Sequence, residues 1–204
     1  MAETIPEAYM ALPQQDNPRM SRGEYLEFER NSDERHEYIH GRVYAMAGAS
    51  EPHNQIVFNL SGLFWSALRK RPCKAYAENM AVQAGKNYVY PDLVAVCGEA
   101  QIESGQIDTL TNPQVVIEVL SPSTQRYDKE LKAMLYRQTP SIQEILLVSQ
   151  TMPAISRYVR QENDVWTVQD TIGVDAAVKL AALDVTLALA DVYEKVTFPD
   201  EDEA

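Results

Sequence analysis

The chain has 204 residues, 45% of them hydrophobic and 24% charged, with a formal net charge of −12. That length and composition suit a single packed domain with trimmings and exclude a disordered chain, and no apolar run approaches the ~20 residues that span a bilayer. The acidity excludes a protein that holds nucleic acid by charge alone.

Part of that charge sits at the ends: residues 1–18 hold three acids and no base, residues 200–203 hold four acids, and 23 acids against 18 bases lie between. In chain order, residues 1–18 also carry three prolines and read as a flexible arm. They lack the basic leader and apolar core of a signal peptide, so a cytoplasmic location without membrane attachment is expected. A single domain is expected over 19–198, followed by an acidic tail over 199–204. Ser21 and Glu24 form an S-x-x-E capping box that predicts a helix over about 22–30. Residues 36–39 and 42–47 predict a hairpin turning at His40-Gly41. Ser50 can cap the next helix, with Pro52 in its first turn. Ile56, Leu60, Leu63, Phe64 and Leu68 give it an apolar stripe at helical spacing, which ends before Pro72.

The period then changes. Residues 76–84 and 88–97 predict two strands about a turn at Gly85-Lys86-Asn87, with Pro91 suited to a strand start or edge. A polar loop follows over about 98–113. Residues 114–120 (QVVIEVL) predict a central strand buried on both faces. Ser123 can cap a helix whose buried stripe is Tyr127, Leu131, Met134 and Leu135, and residues 144–149 predict another buried strand. Residues 155–159 and 165–168 suggest a hairpin added at the sheet edge, and about 187–195 a last helix. The order favours an α/β domain with a mixed sheet flanked by helices. Cys73 and Cys97 are the only cysteines; they fit neither a zinc spacing nor a disulfide framework, and free thiols are expected.

The informative residues are charges where charge is unexpected. Glu118 sits inside an apolar strand, where an ionised carboxylate is costly unless paired or bound to a metal. Asp92 follows Pro91 and precedes the apolar run LVAV, at the start of a neighbouring strand. If the strands pair, two carboxylates ~4 Å apart repel by about 4 kcal/mol at an effective dielectric of ~20. A divalent cation removes that cost, and so does a shared proton. Hard oxygen donors select Mg²⁺ or Mn²⁺, an arrangement suited to metal-assisted phosphodiester hydrolysis. The plainer alternatives are a turn cap at Asp92, a scaffold ion pair of Glu118 with Lys132, and an exposed helical pair of Lys132 with Asp128.

The stretches PDLVAV, IEVLSPSTQRYDKELKAMLYRQ and EILLVS, with HEYIHGRVYAMAGAS and HNQIVFNL upstream, resemble the bacterial restriction-endonuclease-like family within the PD-(D/E)XK nuclease superfamily. The resemblance implies a restriction-endonuclease-like core (α-β-β-β-α-β) with an added N-terminal helix and hairpin and a C-terminal hairpin. It implies a metal-dependent endonuclease acting on DNA, with Mg²⁺ or Mn²⁺ held by Asp92, Glu118 and the carbonyl of Val119. The superfamily lysine is expected two residues after the acid, where this chain has Leu120; Lys132 on the following helix is the matching residue. Glu37 matches an upstream acid that could orient a metal-bound water, and His53 a helix position of unclear role. Cutting both strands would need two sites, hence an expected homodimer, which could line Arg69, Lys70, Arg71 and Lys74 along a shared groove. The alternatives are a catalytically silent binding or assembly module that keeps the nuclease fold, and a phosphodiesterase on RNA or small nucleotides.

Overall fold

Two six-stranded sheets of mixed direction face one another across a shared apolar layer in the computed structural model, which describes residues 17–46, 48–122 and 125–198. The expected arm through residue 16, the last residue of the expected strand at Ala47, the proposed cap Ser123 and the acidic tail from 199 lie outside the described residues.

Helix α1 (Arg22–Asn31) starts at the predicted capping box: Ser21 accepts the Glu24 N–H while the Glu24 carboxylate accepts the Ser21 N–H. Strands β1 (His36–Ile39) and β2 (Arg42–Ala45) make the predicted hairpin, and α2 (Glu51–Leu68) is capped by Ser50. Each of the two long strands expected next is broken in two. The first gives β3 (Cys73–Ala77) and β4 (Ala81–Ala84); the second gives β5 (Asn87–Val89) and β6 (Leu93–Cys97). The causes are local. Glu78 and Asn79 take left-handed backbone angles, φ 50° and 34°, which no regular strand tolerates. Opposite them, Pro91 has no N–H for a ladder. One half of each ribbon pairs into each sheet, so the break is the seam between sheets.

The polar loop holds two short strands, β7 (Ile102–Glu103) and β8 (Thr109–Leu110). Strand β9 (Val115–Leu120) is buried at every residue, as its β-branched run requires. A π-helical turn (Tyr127–Lys132) runs directly into α3 (Ala133–Arg137). Strand β10 (Glu144–Ser149) follows, then the hairpin β11 (Ala154–Arg160) and β12 (Trp166–Ile172). The first sheet has the order β2-β1-β5-β4-β8-β7 and the second β12-β11-β10-β9-β6-β3. The second sheet, with α2 and α3, carries the expected α-β-β-β-α-β core as α2, β3, β6, β9, α3 and β10.

Two expectations are corrected. The last helix is the short α4 (Leu189–Val192) rather than the whole of 187–195, and an unforeseen hairpin of β13 (Ala177–Leu180) and β14 (Val185–Ala188) precedes it. Val178, Leu180, Val185 and Leu187 alternate at period two and are buried against α2 and the second sheet. Cys73 and Cys97 are not free: they are register partners across β3 and β6 and form a disulfide. The contact depends on strand pairing between residues 24 apart, which no local spacing reveals.

The second sheet separates two cores. Ile117 and Val119 face α2 and the C-terminal hairpin, while Val116 and Leu120 face the layer that contains Leu131, Leu135 and Tyr136. Alternation therefore turns Glu118 toward the inter-sheet side.

Candidate active site

β6 and β9 run antiparallel with Leu93 opposite Ile117 and Val94 opposite Val116. Continuing that register by one step sets Asp92 opposite Glu118, and directly opposed residues share a face. The paired ladder stops at Leu93, so Asp92 lies at its open end. There the Asp92 Oδ2 accepts the Val119 N–H at 2.6 Å. An extended residue directs its N–H and C=O to the same edge, so the Val119 carbonyl faces the Asp92 side as well. The Asp92 carbonyl accepts the Glu78 N–H at 2.8 Å, so the left-handed pair at 78–79 helps fix the acid's backbone.

Lys132 enters from the π-helical turn. Its Nζ lies 2.7 Å from Glu118 Oε1, 3.0 Å from Glu37 Oε1 and 3.8 Å from Asp128 Oδ1, and donates to the Tyr90 carbonyl at 3.3 Å. A π-turn widens the repeat to about five residues and is frequent at functional sites. Here it brings Tyr127, Asp128 and Lys132 to one side. Tyr136, one α-turn further, donates to Glu118 Oε1 at 2.5 Å. Glu37 comes from the other sheet: its Oε1 accepts the Tyr90 N–H at 2.9 Å, and its Oε2 accepts the Tyr127 hydroxyl. His53, in the first turn of α2, places Nε2 3.3 Å from Asp92 Oδ2, and its Nδ1 is buried without a partner among the described residues.

Glu37, Asp92, Glu118 and Asp128 thus gather around one lysine and one histidine. Burial pushes the Glu118 carboxyl well above the usual carboxylate range; Lys132 opposes the rise, and Asp128, Asp92 and Glu37 add to it. Burial works against the Lys132 charge, but Glu118, Glu37 and Asp128 hold its proton well above the ordinary lysine value. For His53, burial lowers the pKa, while the hydrogen bond and charge of Asp92, then Asp128 and Glu78, outweigh it and raise it. The phenols of Tyr127 and Tyr136 are pushed up first by burial, then chiefly by the carboxylates they bond, Glu37 and Glu118.

A cavity of about 430 Å³ opens onto this cluster, with Asp92, Glu118, Lys132 and His53 in its wall. The Asp92 side chain is 17% exposed and that of Glu118 3%, so Asp92 is the acid nearer solvent. Among the described residues no three His, Cys, Asp or Glu side chains close round a metal position. The donors suited to a hard cation are fewer: Asp92 Oδ1 and Glu118 Oε2 take no hydrogen bond from a described residue, and both side chains border the cavity. That donor set fits a divalent ion with open positions for water or phosphate oxygens.

All four side chains singled out in the sequence, Glu37, Asp92, Glu118 and Lys132, meet here. Asp128 was legible only as a possible exposed partner of Lys132, and it is buried. Tyr90, Tyr127 and the link from His53 to Asp92 carried no sequence signal. Arg126, just before the π-helical turn, pairs with Glu130 on the exposed side at 3.3 Å.

An open-ended β6–β9 pair with an acid from each strand and a lysine from the following helix defines a restriction-endonuclease-like fold. The chain belongs to the putative restriction endonuclease family Uma2, matched over residues 22–190. It is similar to two uncharacterized proteins of Synechocystis sp. (strain ATCC 27184 / PCC 6803 / Kazusa). One, slr1290, is 34% identical over 183 residues, 89% of this chain and 95% of the relative. The other, sll1609, is 30% identical over 164 residues, 79% of this chain and 93% of the relative. The fold is similar to a crystal structure of a putative nuclease belonging to DUF820 from Anabaena variabilis ATCC 29413. The TM-score is 0.72 at 19% identity, covering 87% of this chain and 99% of that one.

Proposed function

We propose that the chain is a divalent-metal-dependent nuclease that hydrolyses phosphodiester bonds in DNA. The observation that carries this reading is the charge imbalance at the end of β6 and β9, where four carboxylates converge on one lysine and one histidine. A scaffold ion pair needs one acid per base. The surplus here is costly in a buried site unless protons or a cation offset it.

Asp92, Glu118 and the Val119 carbonyl would hold Mg²⁺ or Mn²⁺. Such an ion, when bound, lowers the pKa of water and neutralises charge on a phosphate. Lys132 keeps its proton at neutral pH, so its role is that of a cation: it fixes Glu118 and stabilises negative charge developing on the scissile phosphate. Because the lysine arrives from the helix after β9, Leu120 at the superfamily's lysine place does not leave the site without an ammonium. Glu37 and Tyr136 orient Lys132 and Glu118, and His53 holds Asp92. Family membership and the shared fold support the nuclease reading.

The test is a supercoiled-plasmid nicking assay with Mn²⁺ or Mg²⁺. Cutting by the wild type should fall at least about a hundredfold in Asp92→Ala and Glu118→Gln. Equal cutting by Glu118→Gln and wild type would sink the assignment. A catalytically silent module would instead show no metal-dependent cutting of DNA or RNA by the wild type.

A further inference from the structure

Four of the 18 basic residues and none of the 30 acids lie in the 24 residues 54–77. In so acidic a chain this is the stretch that departs most from the whole. It forms α2 after its first turn and the edge strand β3. Arg69, Lys70, Arg71 and Lys74 are all exposed at the end of α2 and the start of β3. A helix C-terminus accounts for a basic residue or two through its dipole. It does not account for the aromatics beside them. Phe58 and Trp65, seven residues apart on one face of α2, are 74% and 64% exposed. The Arg69 guanidinium lies 5.0 Å from the centre of the Trp65 ring. Next to them a groove of about 340 Å³ runs between α2 and β3, walled by Phe64, Leu68 and Ala75 with Trp65 and Arg69 at its mouth. Arg71 donates to the Asp184 carbonyl at 3.4 Å, while the Asp184 carboxylate is paired with Lys179 at 3.2 Å.

We propose that this face of α2 and β3 is a second nucleic-acid contact, one that takes a single strand by stacking bases on Trp65 and Phe58 and its phosphates on Arg69, Lys70, Arg71 and Lys74. Exposed aromatics interleaved with cations are what a single strand requires: a π-face for any base and a cationic track for the backbone. A purely apolar partner would not need four cations that form no ion pair among the described residues. The proposal rests on the nuclease reading for its occupant and adds where the rest of the strand goes. Arg69 is 16 residues along α2 from His53, about 24 Å at ~1.5 Å per residue, so only a strand long enough to bridge that span gains from it.

The probe is a fluorescein-labelled 30-nucleotide single-stranded DNA, compared with a 6-nucleotide one, with anisotropy read in EDTA so that no cutting occurs. The wild type should bind the long strand more tightly than the short one. Changing Arg69, Lys70, Arg71 and Lys74 together to Ala should weaken the long-strand complex by about tenfold or more and flatten the slope of log K against log salt by about 3, from ~0.7 per phosphate contact. Trp65→Ala should weaken it by about fivefold or more while leaving the salt slope unchanged. Lys70→Glu alone, at an exposed position, should act in the same direction if the quadruple variant fails to fold. The proposal is overturned if the wild type does not bind the long strand, or if all these variants bind as the wild type does. It is also overturned if Trp65→Ala changes only the oligomeric state, which would mark the face as a contact between copies. Glu118→Gln should bind in EDTA as the wild type does and, in a separate assay with Mn²⁺, fail to cut; if it cuts there, the nuclease reading fails while the binding result stands.

Discussion

Lys132 is the residue on which the candidate site balances. It touches Glu118, Glu37 and Asp128 in a buried environment. Lys132→Met should therefore destabilise the metal-free protein by about 3–5 kcal/mol, because buried carboxylates are left without their cation. Urea melts check this, and a midpoint equal to that of the wild type would contradict it. Glu118 gives the pH dependence. Its carboxyl is held well above the ordinary range by burial, so its contribution to stability is present at low pH and is lost as pH rises through that raised value. Relative to Glu118→Gln, the metal-free wild type should lose melting temperature as pH rises from the ordinary carboxylate range toward neutrality. A rising difference would mean that Lys132 outweighs burial. At this scale the sequence was most legible where a charge interrupts an apolar run. Glu118 in QVVIEVL and Asp92 beside LVAV could be singled out on that ground alone. Tyr127, Tyr136 and Asp128 could not, because a tyrosine or an acid on an amphipathic helix fits either face.

Caps and breaks decide how the elements present those residues. Ser50 accepts the His53 N–H at 3.3 Å and donates to Gln150 at 2.8 Å, which fixes the first turn of α2 beside the site. Ser50→Ala should cost about 1 kcal/mol of stability, the usual effect of losing an N-cap, and should weaken metal affinity through His53 and Asp92 if that turn shifts. Thermal melts and Mn²⁺ titration read the two effects separately; an unchanged melt would show that the cap contributes nothing. The capping box at Ser21, the cap at Ser50, the apolar stripe of α2 and the β-branched run of β9 were read correctly because each is a local preference. The breaks within the two long strands were not. Glu78 and Asn79 adopt left-handed angles without a glycine to announce them, so nothing in the residue types marks the seam. The C-terminal hairpin was missed because its alternation at 178, 180, 185 and 187 is interrupted by the turn at Leu183-Asp184, and the last helix was drawn too long.

Over the whole molecule, the fold was legible as an α/β order of elements, and the second sheet keeps that order. The doubling of the sheet was not, since it depends on which half of each broken ribbon pairs with which partner. The disulfide belongs to the same scale. Bridging Cys73 and Cys97 closes a loop of 24 residues, and a cross-link of that size contributes up to about 3 kcal/mol in a chain-entropy account. Protein isolated without reductant should show no titratable thiols, and reduction should release two and lower the urea midpoint; two free thiols before reduction would contradict the bridge. In the proposed function the β6–β9 end holds a divalent cation. Anomalous scattering from a crystal soaked in Mn²⁺ would locate that ion. We predict a peak within coordination distance of both the Asp92 and Glu118 carboxylates and the Val119 carbonyl. Full Mn²⁺ occupancy elsewhere on the molecule, with Lys132 still on Glu118 and no density at Asp92, would contradict it.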